Sequence, residues 1–151
     1  MAISVLEMFT IGIGPSSSHT VGPMRAAGRF VQRLDEARQL ESIRRLELHL
    51  YGSLALTGKG HGTDRALLLG FEGETPEGVD VDAIPRRLER IRAEHCLKVG
   101  GAHEVEFDEP RDLVFHRQQR LSAHANGMRF IARDAAGTQL LEKVYYSVGG
   151  G

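Results

Sequence analysis

Three polar clusters hold the residues of this chain that are equipped for chemistry. The first is Gly14-Pro15-Ser16-Ser17-Ser18-His19-Thr20-Val21-Gly22-Pro23. Free N–H groups at a helix mouth attract anions, and neighbouring hydroxyls add donors. Ser16, Ser17, Ser18 and Thr20, with His19 beside them, therefore suit a small carboxylate. A loop whose serines only satisfy their own backbone would use the same residues, so both readings stand. No Gly-Lys-Ser/Thr follows the glycine at Walker spacing, which sets aside a nucleotide P-loop.

The second cluster runs from Gly52 to Asp64 and contains Ser53, Thr57, His61 and Thr63. His61 lies between Gly60 and Gly62. Such flanks let a backbone approach a ligand closely, and imidazole titrates in the range useful for proton transfer. The third is Ser122-Ala123-His124-Ala125-Asn126-Gly127. Here an imidazole and an amide could hold an amino or hydroxyl group. A surface loop histidine is the plain alternative for His61 and His124 alike. A zinc site built from His19, His61 and His124 finds no support in spacing, since neither His-x-His nor His-Glu-x-x-His occurs. No metal ligand is assigned. His49, His95, His103 and His116 are read as structural or surface residues, Cys96 as a small residue closing a helix, and Tyr145 and Tyr146 as packing residues.

Local pattern indicates what must position these clusters. Ser4 can cap a short turn over Val5 to Phe9. Pro23 is tolerated in a first helical turn, so a helix begins near Thr20 to Gly22 and ends near Arg38, burying Met24, Ala27, Val31 and Leu34. Ile43 to Tyr51 alternates, with Leu46, Leu48 and Leu50 on one face, and reads as a half-buried strand. Gly52 to Gly62 reads as a polar connection, and Thr63 as the cap of a helix over Asp64 to Leu69. A polar loop follows from Glu72 to Val79. Asp80 or Asp82 caps the next helix, which has Pro85 in its first turn. Ile84, Leu88 and Ile91 form its stripe, and Arg86, Arg87, Arg90 and Arg92 its solvated side. Short strands are expected at Val105 to Phe107 and Asp112 to Phe115. A hairpin is expected from Met128 to Asp134 and Thr138 to Val148, across Ala135-Ala136-Gly137. Helices and strands mixed in this order indicate an α+β fold, one mixed sheet flanked by helices.

The chain has 151 residues, enough for one domain with a sizeable core, and a formal net charge of -1, which argues against nucleic acid as a partner. No apolar run reaches the roughly 20 residues of a membrane span. Met1-Ala2-Ile3-Ser4 lacks the pattern of a secretory leader, and one cysteine permits no internal disulfide. The expected location is the cytoplasm.

The clusters in combination resemble the bacterial iron–sulfur L-serine dehydratases. Gly14 to Pro23, Tyr51 to Asp64, Ser122 to Met128, and Tyr145-Tyr146-Ser147-Val148-Gly149-Gly150-Gly151 match four ordered blocks of that family across the chain. The resemblance implies the β domain, residues 1–151, with an iron–sulfur α domain expected beyond Gly151. It implies a fold similar to the allosteric substrate-binding domain of phosphoglycerate dehydrogenase. It also implies a [4Fe-4S] cluster in the full-length enzyme, ligated by cysteines outside this chain, since Cys96 falls in none of the blocks.

The implied reaction is α,β-elimination of water from L-serine, giving pyruvate and ammonia, with the cluster as Lewis acid. In it Ser16, Ser17, Ser18 and Thr20 would cradle the substrate carboxylate, with His19 nearby. His124 or His61 would be the base, with the preference going to His124. Asn126 and Thr63 would orient the substrate. The partners implied are L-serine and the α domain, with a homodimer left open and neither nucleic acid nor membrane involved. The alternative is a small-anion-binding or assembly module without activity of its own.

Overall fold

A computed structural model of the chain describes residues 19–118 and 126–147, the His61 side chain excepted. The expected turn over Val5 to Phe9 lies outside these residues. Helix α1 spans Val21–Glu36, with Thr20 as its N-cap and Pro23 in its first turn. Strand β1 is Arg45–Tyr51. Two helices follow, α2 over Ser53–His61 and α3 over Thr63–Phe71. Then come α4 over Ile84–Glu94, β2 over Cys96–Val99 and β3 over His103–Glu106. A one-turn helix, Glu109–Asp112, precedes β4 at Leu113–His116. The hairpin β5, Gly127–Arg133, and β6, Gln139–Tyr146, completes the described chain.

These strands make one mixed six-stranded sheet in the order β2-β3-β1-β5-β6, with β4 also pairing β1. Strands β3 and β4 run parallel to β1 on the same edge, β3 beside Arg45 and β4 beside Leu48 to Tyr51. Strand β5 pairs β1 in antiparallel fashion on the other edge, from Arg45 opposite Arg133 to Leu50 opposite Met128. The α+β architecture expected from the sequence is the one found.

The alternation of β1 has the predicted consequence. Leu46, Leu48 and Leu50 are fully buried, and so are Met128, Phe130 and Ala132 of β5. Phe30 of α1, Phe71 of α3 and Phe130 form an edge-to-face trio with centroids 5.1 to 6.1 Å apart. Burying each such ring stabilises the fold by about 1.5–3 kcal/mol. Helices α1 and α3 approach so closely that a Cβ at Gly70 would sit 2.6 Å from the Met24 carbonyl oxygen. Only glycine fits there.

Several expectations need correction. Gly52 to Gly62 is not an open polar connection: Ser53–His61 is helical. Its glycines argue locally for a loop, but packing against β1 and β4 overrides them. Gly62, with φ of 85°, makes the break between α2 and α3. Such a φ strains any residue with a side chain. Thr63 opens α3 without capping it, because its hydroxyl is used elsewhere. Asp80 caps the short 3-10 turn before α4 by accepting from Asp82 N.

Arg87, Arg90 and Arg92 are not simply solvated. Glu72, just past α3, is 4% exposed and accepts from Arg87, Arg90 and the Lys98 N–H. Arg92 pairs with Asp64 and Glu109. Cys96 is half-buried and begins β2 rather than ending a helix, and burial pushes its thiol pKa up. Tyr145 packs on Phe130, whereas Tyr146 is exposed. Among the described residues, no helix is long and apolar enough to cross a membrane.

Candidate functional site

His19 of the first cluster meets the second cluster at one end of the sheet. Strand β1 ends at Tyr51, and α2 starts two residues later. That places Ser53 and Thr57 one helical turn apart on a common face. His19, immediately before α1, lies against that face. Its Nε2 is 3.1 Å from Ser53 Oγ and 3.0 Å from Thr57 Oγ1. The His19 carbonyl accepts a hydrogen bond from Thr63 Oγ1 at 2.5 Å. His19 is 8% exposed, and Thr20 and Thr63 are fully buried. Three hydroxyls from two consecutive helices thus grip one histidine, by its ring and by its backbone.

The N-terminus of α1 adds a second feature. Thr20 is the N-cap, yet its side chain makes no capping bond, and no acidic residue lies in the first turn. The helix therefore keeps its positive end uncompensated by its own residues, as an anion site requires. Thr63 differs from expectation in one respect. Its single hydroxyl hydrogen goes to His19, so toward any ligand it has only lone pairs to offer.

Asn126 and Gly127 of the third cluster lie at the same end of the sheet, where β5 begins. The register between β1 and β5 runs to Leu50 opposite Met128, two residues after Asn126. Asn126 Nδ2 donates to Ser147 O at 3.1 Å, and Ser147 N donates to Asn126 O at 2.9 Å. Those bonds join the end of β6 to the start of β5. Ser16, Ser17, Ser18 and His124 lie outside the described residues. His61 is placed by its backbone alone, at the end of α2.

The sequence places Ser53 and Thr57 in the second polar cluster but gives neither a role. Their spacing of four would have marked a helix face, but only once the segment is known to be helical. A second missed group lies on the sheet face opposite the core. His49 and His116 stack with centroids 5.1 Å apart, with His49 Nδ1 2.8 Å from His116 Nε2, and Tyr51 stacks on His116 at 4.5 Å. Glu47, Arg129, Arg133 and Glu142 surround them in ion pairs.

Burial holds both imidazoles below their ordinary value of 6.5. Arg129 reinforces this for both, His49 reinforces it for His116, and Glu47 works against it at His49. As pH falls below about 6.5 the unfolded chain takes up these protons first, so stability is lost as pH drops through the folded pKa values. Melting temperatures measured from about pH 7 to pH 5 should fall, and a His49→Gln, His116→Gln protein should show a shallower decline. An equal decline in both proteins would overturn this.

A cleft of about 820 Å³ opens between α2, α4 and β4. Its floor includes Ile91, Phe107 and Leu113, and its wall acids are paired, Asp64 and Glu109 with Arg92 and Asp108 with His95. Lys59, Arg65 and Arg117 on its rim have no acidic partner among the described residues. His19, Ser53 and Thr57 do not line it.

Comparison with known proteins agrees along the whole length. A family profile described as serine dehydratase beta chain matches residues 4–151. An L-serine dehydratase of Streptomyces coelicolor is 52% identical over 151 residues, covering 100% of this chain and 33% of that protein. An L-serine dehydratase of Mycobacterium tuberculosis is 48% identical over 151 residues, covering 100% of this chain and 32% of that protein. One from Helicobacter pylori is 41% identical over 150 residues, covering 99% of this chain and 32% of that protein. The chain thus spans about a third of the length of the relatives it matches.

Proposed function

This chain belongs to the serine dehydratase beta chain family, and from that premise we propose that it is the substrate-binding β domain of an L-serine ammonia-lyase. The enzyme would convert L-serine to pyruvate and ammonia. One observation carries this reading beyond family membership: His19 is gripped by Ser53, Thr57 and Thr63 at the mouth of α1. A polar cluster that had only to cap a helix would not need three hydroxyls from two other helices.

The chemistry divides into binding, removal of a weakly acidic Cα proton, and departure of hydroxide. Ser16, Ser17, Ser18 and Thr20 would hold the carboxylate at the positive end of α1. His124 or His61 would take the Cα proton, and Asn126 and Thr63 would orient the substrate, Thr63 as an acceptor. The Cα–H electron pair becomes the Cα–Cβ double bond as the Cβ–O bond breaks. The aminoacrylate then tautomerises to the imine, and water releases ammonia and pyruvate.

The residues of this chain do not fit an iron–sulfur cluster. Cys96 is its single cysteine, and among the described residues no three His, Cys, Asp or Glu side chains gather as ligands. A [4Fe-4S] cluster of the whole enzyme would be ligated by cysteines outside these residues, in an α domain that is this chain's partner.

The test is pyruvate formation from L-serine by the anaerobically purified full-length enzyme, with ammonia measured in parallel. Equal amounts of pyruvate and ammonia are expected. This chain purified alone should give none. A full-length enzyme without serine turnover would overturn the reading. The alternative, a small-anion-binding module, draws support from the rim cations Lys59, Arg65 and Arg117. Anion binding by an otherwise inactive full-length protein would establish it.

A further inference from the structure

Two hydroxyls on α2 meet the same atom of His19, and the hydrogens at that meeting can be counted. Thr57 Oγ1 is 3.0 Å from His19 Nε2, and Ser53 Oγ is 3.1 Å from it. A threonine hydroxyl has one hydrogen. That of Thr57 is donated to the Ser53 carbonyl oxygen, 2.9 Å away and one helical turn back. With that hydrogen on the Ser53 carbonyl, Thr57 Oγ1 offers the imidazole only lone pairs, an arrangement that favours a hydrogen on Nε2 between them. In the neutral ring this makes Nδ1 the basic nitrogen. Protonation of Nδ1 leaves the Nε2–H bond to Thr57 unchanged, so the ring can change charge without moving.

We propose that Thr57 is a positioning residue that fixes His19 as its Nε2–H tautomer, with Ser53 Oγ as a second acceptor at the same nitrogen. The proton chemistry of His19 then takes place at Nδ1 alone. One further contact and the burial of the ring make this a built arrangement. Thr63 holds the His19 backbone through its carbonyl, and burial of His19 leaves the ring little room to turn. A histidine that served only as packing would need neither a chosen tautomer nor a hydroxyl whose hydrogen is spent elsewhere. The consequence for serine turnover rests on the placement of His19 in the substrate site, and the experiment separates the two.

The experiment uses the full-length enzyme labelled with 15N-histidine, with the His19 signal identified by its loss in His19→Gln. The wild type should show His19 as the Nε2–H tautomer. Thr57→Val should introduce the Nδ1–H form and raise KM for L-serine about three- to tenfold, the cost of one hydrogen bond, with a smaller change in kcat. Thr57→Ser keeps the hydroxyl and should restore both properties. Ser53→Ala leaves Thr57 in place and should keep the tautomer. Thr57 is exposed, so its replacement should fold. A wild-type Nδ1–H tautomer, or a Thr57→Val enzyme with unchanged tautomer, would overturn the proposal. A shifted tautomer with unchanged serine kinetics would support the Thr57–His19 assignment and overturn the placement of His19 in the serine site.

Discussion

Replacing His124 by alanine in the full-length enzyme is expected to lower kcat for L-serine by roughly 100- to 10,000-fold, the usual contribution of a positioned general base. KM should change far less, because a proton acceptor acts in the transition state rather than in substrate binding. The argument for His124 starts from its neighbours. It stands two residues before Asn126, and Asn126 is bonded to Ser147 at the end of the sheet where β5 begins. The same end carries His19 and the start of α2. His61→Ala, measured in parallel, decides between the two candidates. If the larger loss of kcat follows His61→Ala, that residue is the base. A His124→Ala enzyme with near-normal kcat would remove His124 from the role.

The largest expected effect on stability follows loss of the Glu72 carboxylate. Its side chain is 2% exposed. It accepts from Arg90 Nη2 at 2.6 and 2.7 Å, from Arg87 Nη2 at 3.0 Å and from Lys98 N at 2.8 Å. Those bonds tie the end of α3 to α4 and to β2. Glu72→Ala would leave the Lys98 N–H and the Arg90 guanidinium short of their acceptor, while Arg87 keeps Glu74. Both arginines remain about a quarter exposed, which lets water recover part of the loss. The expected cost is about 3 kcal/mol, at the low end for breaking a buried ion pair. For a domain of this size that lowers the melting temperature by roughly 6–12 °C. Glu72→Gln keeps the shape and one acceptor and should cost less. An unchanged melting temperature in Glu72→Ala would show the network to be incidental.

What could be read from the sequence was read from local pattern. Leu46, Leu48 and Leu50 announce a strand with one buried face because side chains alternate along an extended backbone. Pro23 places the start of α1 because proline is free of penalty only in a first turn. Asp134 to Thr138 announces the β5–β6 turn, where Asp134 Oδ1 accepts from Ala136 N and Thr138 N at 2.9 Å. Family membership was visible in the same way, as four ordered blocks along the chain.

Local pattern misled where tertiary packing outweighed propensity. Gly58 and Gly60 favour a loop, yet Ser53–His61 is a helix, because α2 is held against β1 and β4 and Gly58 lies against Thr63. A loop gives Ser53 and Thr57 no common face, whereas the helix sets them one turn apart against His19.

By itself, then, the sequence determined the mixed order of the main helices and strands apart from α2 and β2, the buried face of β1 and the family. Only the tertiary structure decided that His19 would meet Thr57, 38 residues away, and that His49 would stack on His116, 67 residues away. The reason is physical. Periodicity and turn chemistry act over a few residues and can be read from the residues themselves. A hydrogen-bonded histidine depends on which hydroxyl reaches it and where that hydroxyl's one hydrogen goes, and both are settled only when the helices have packed.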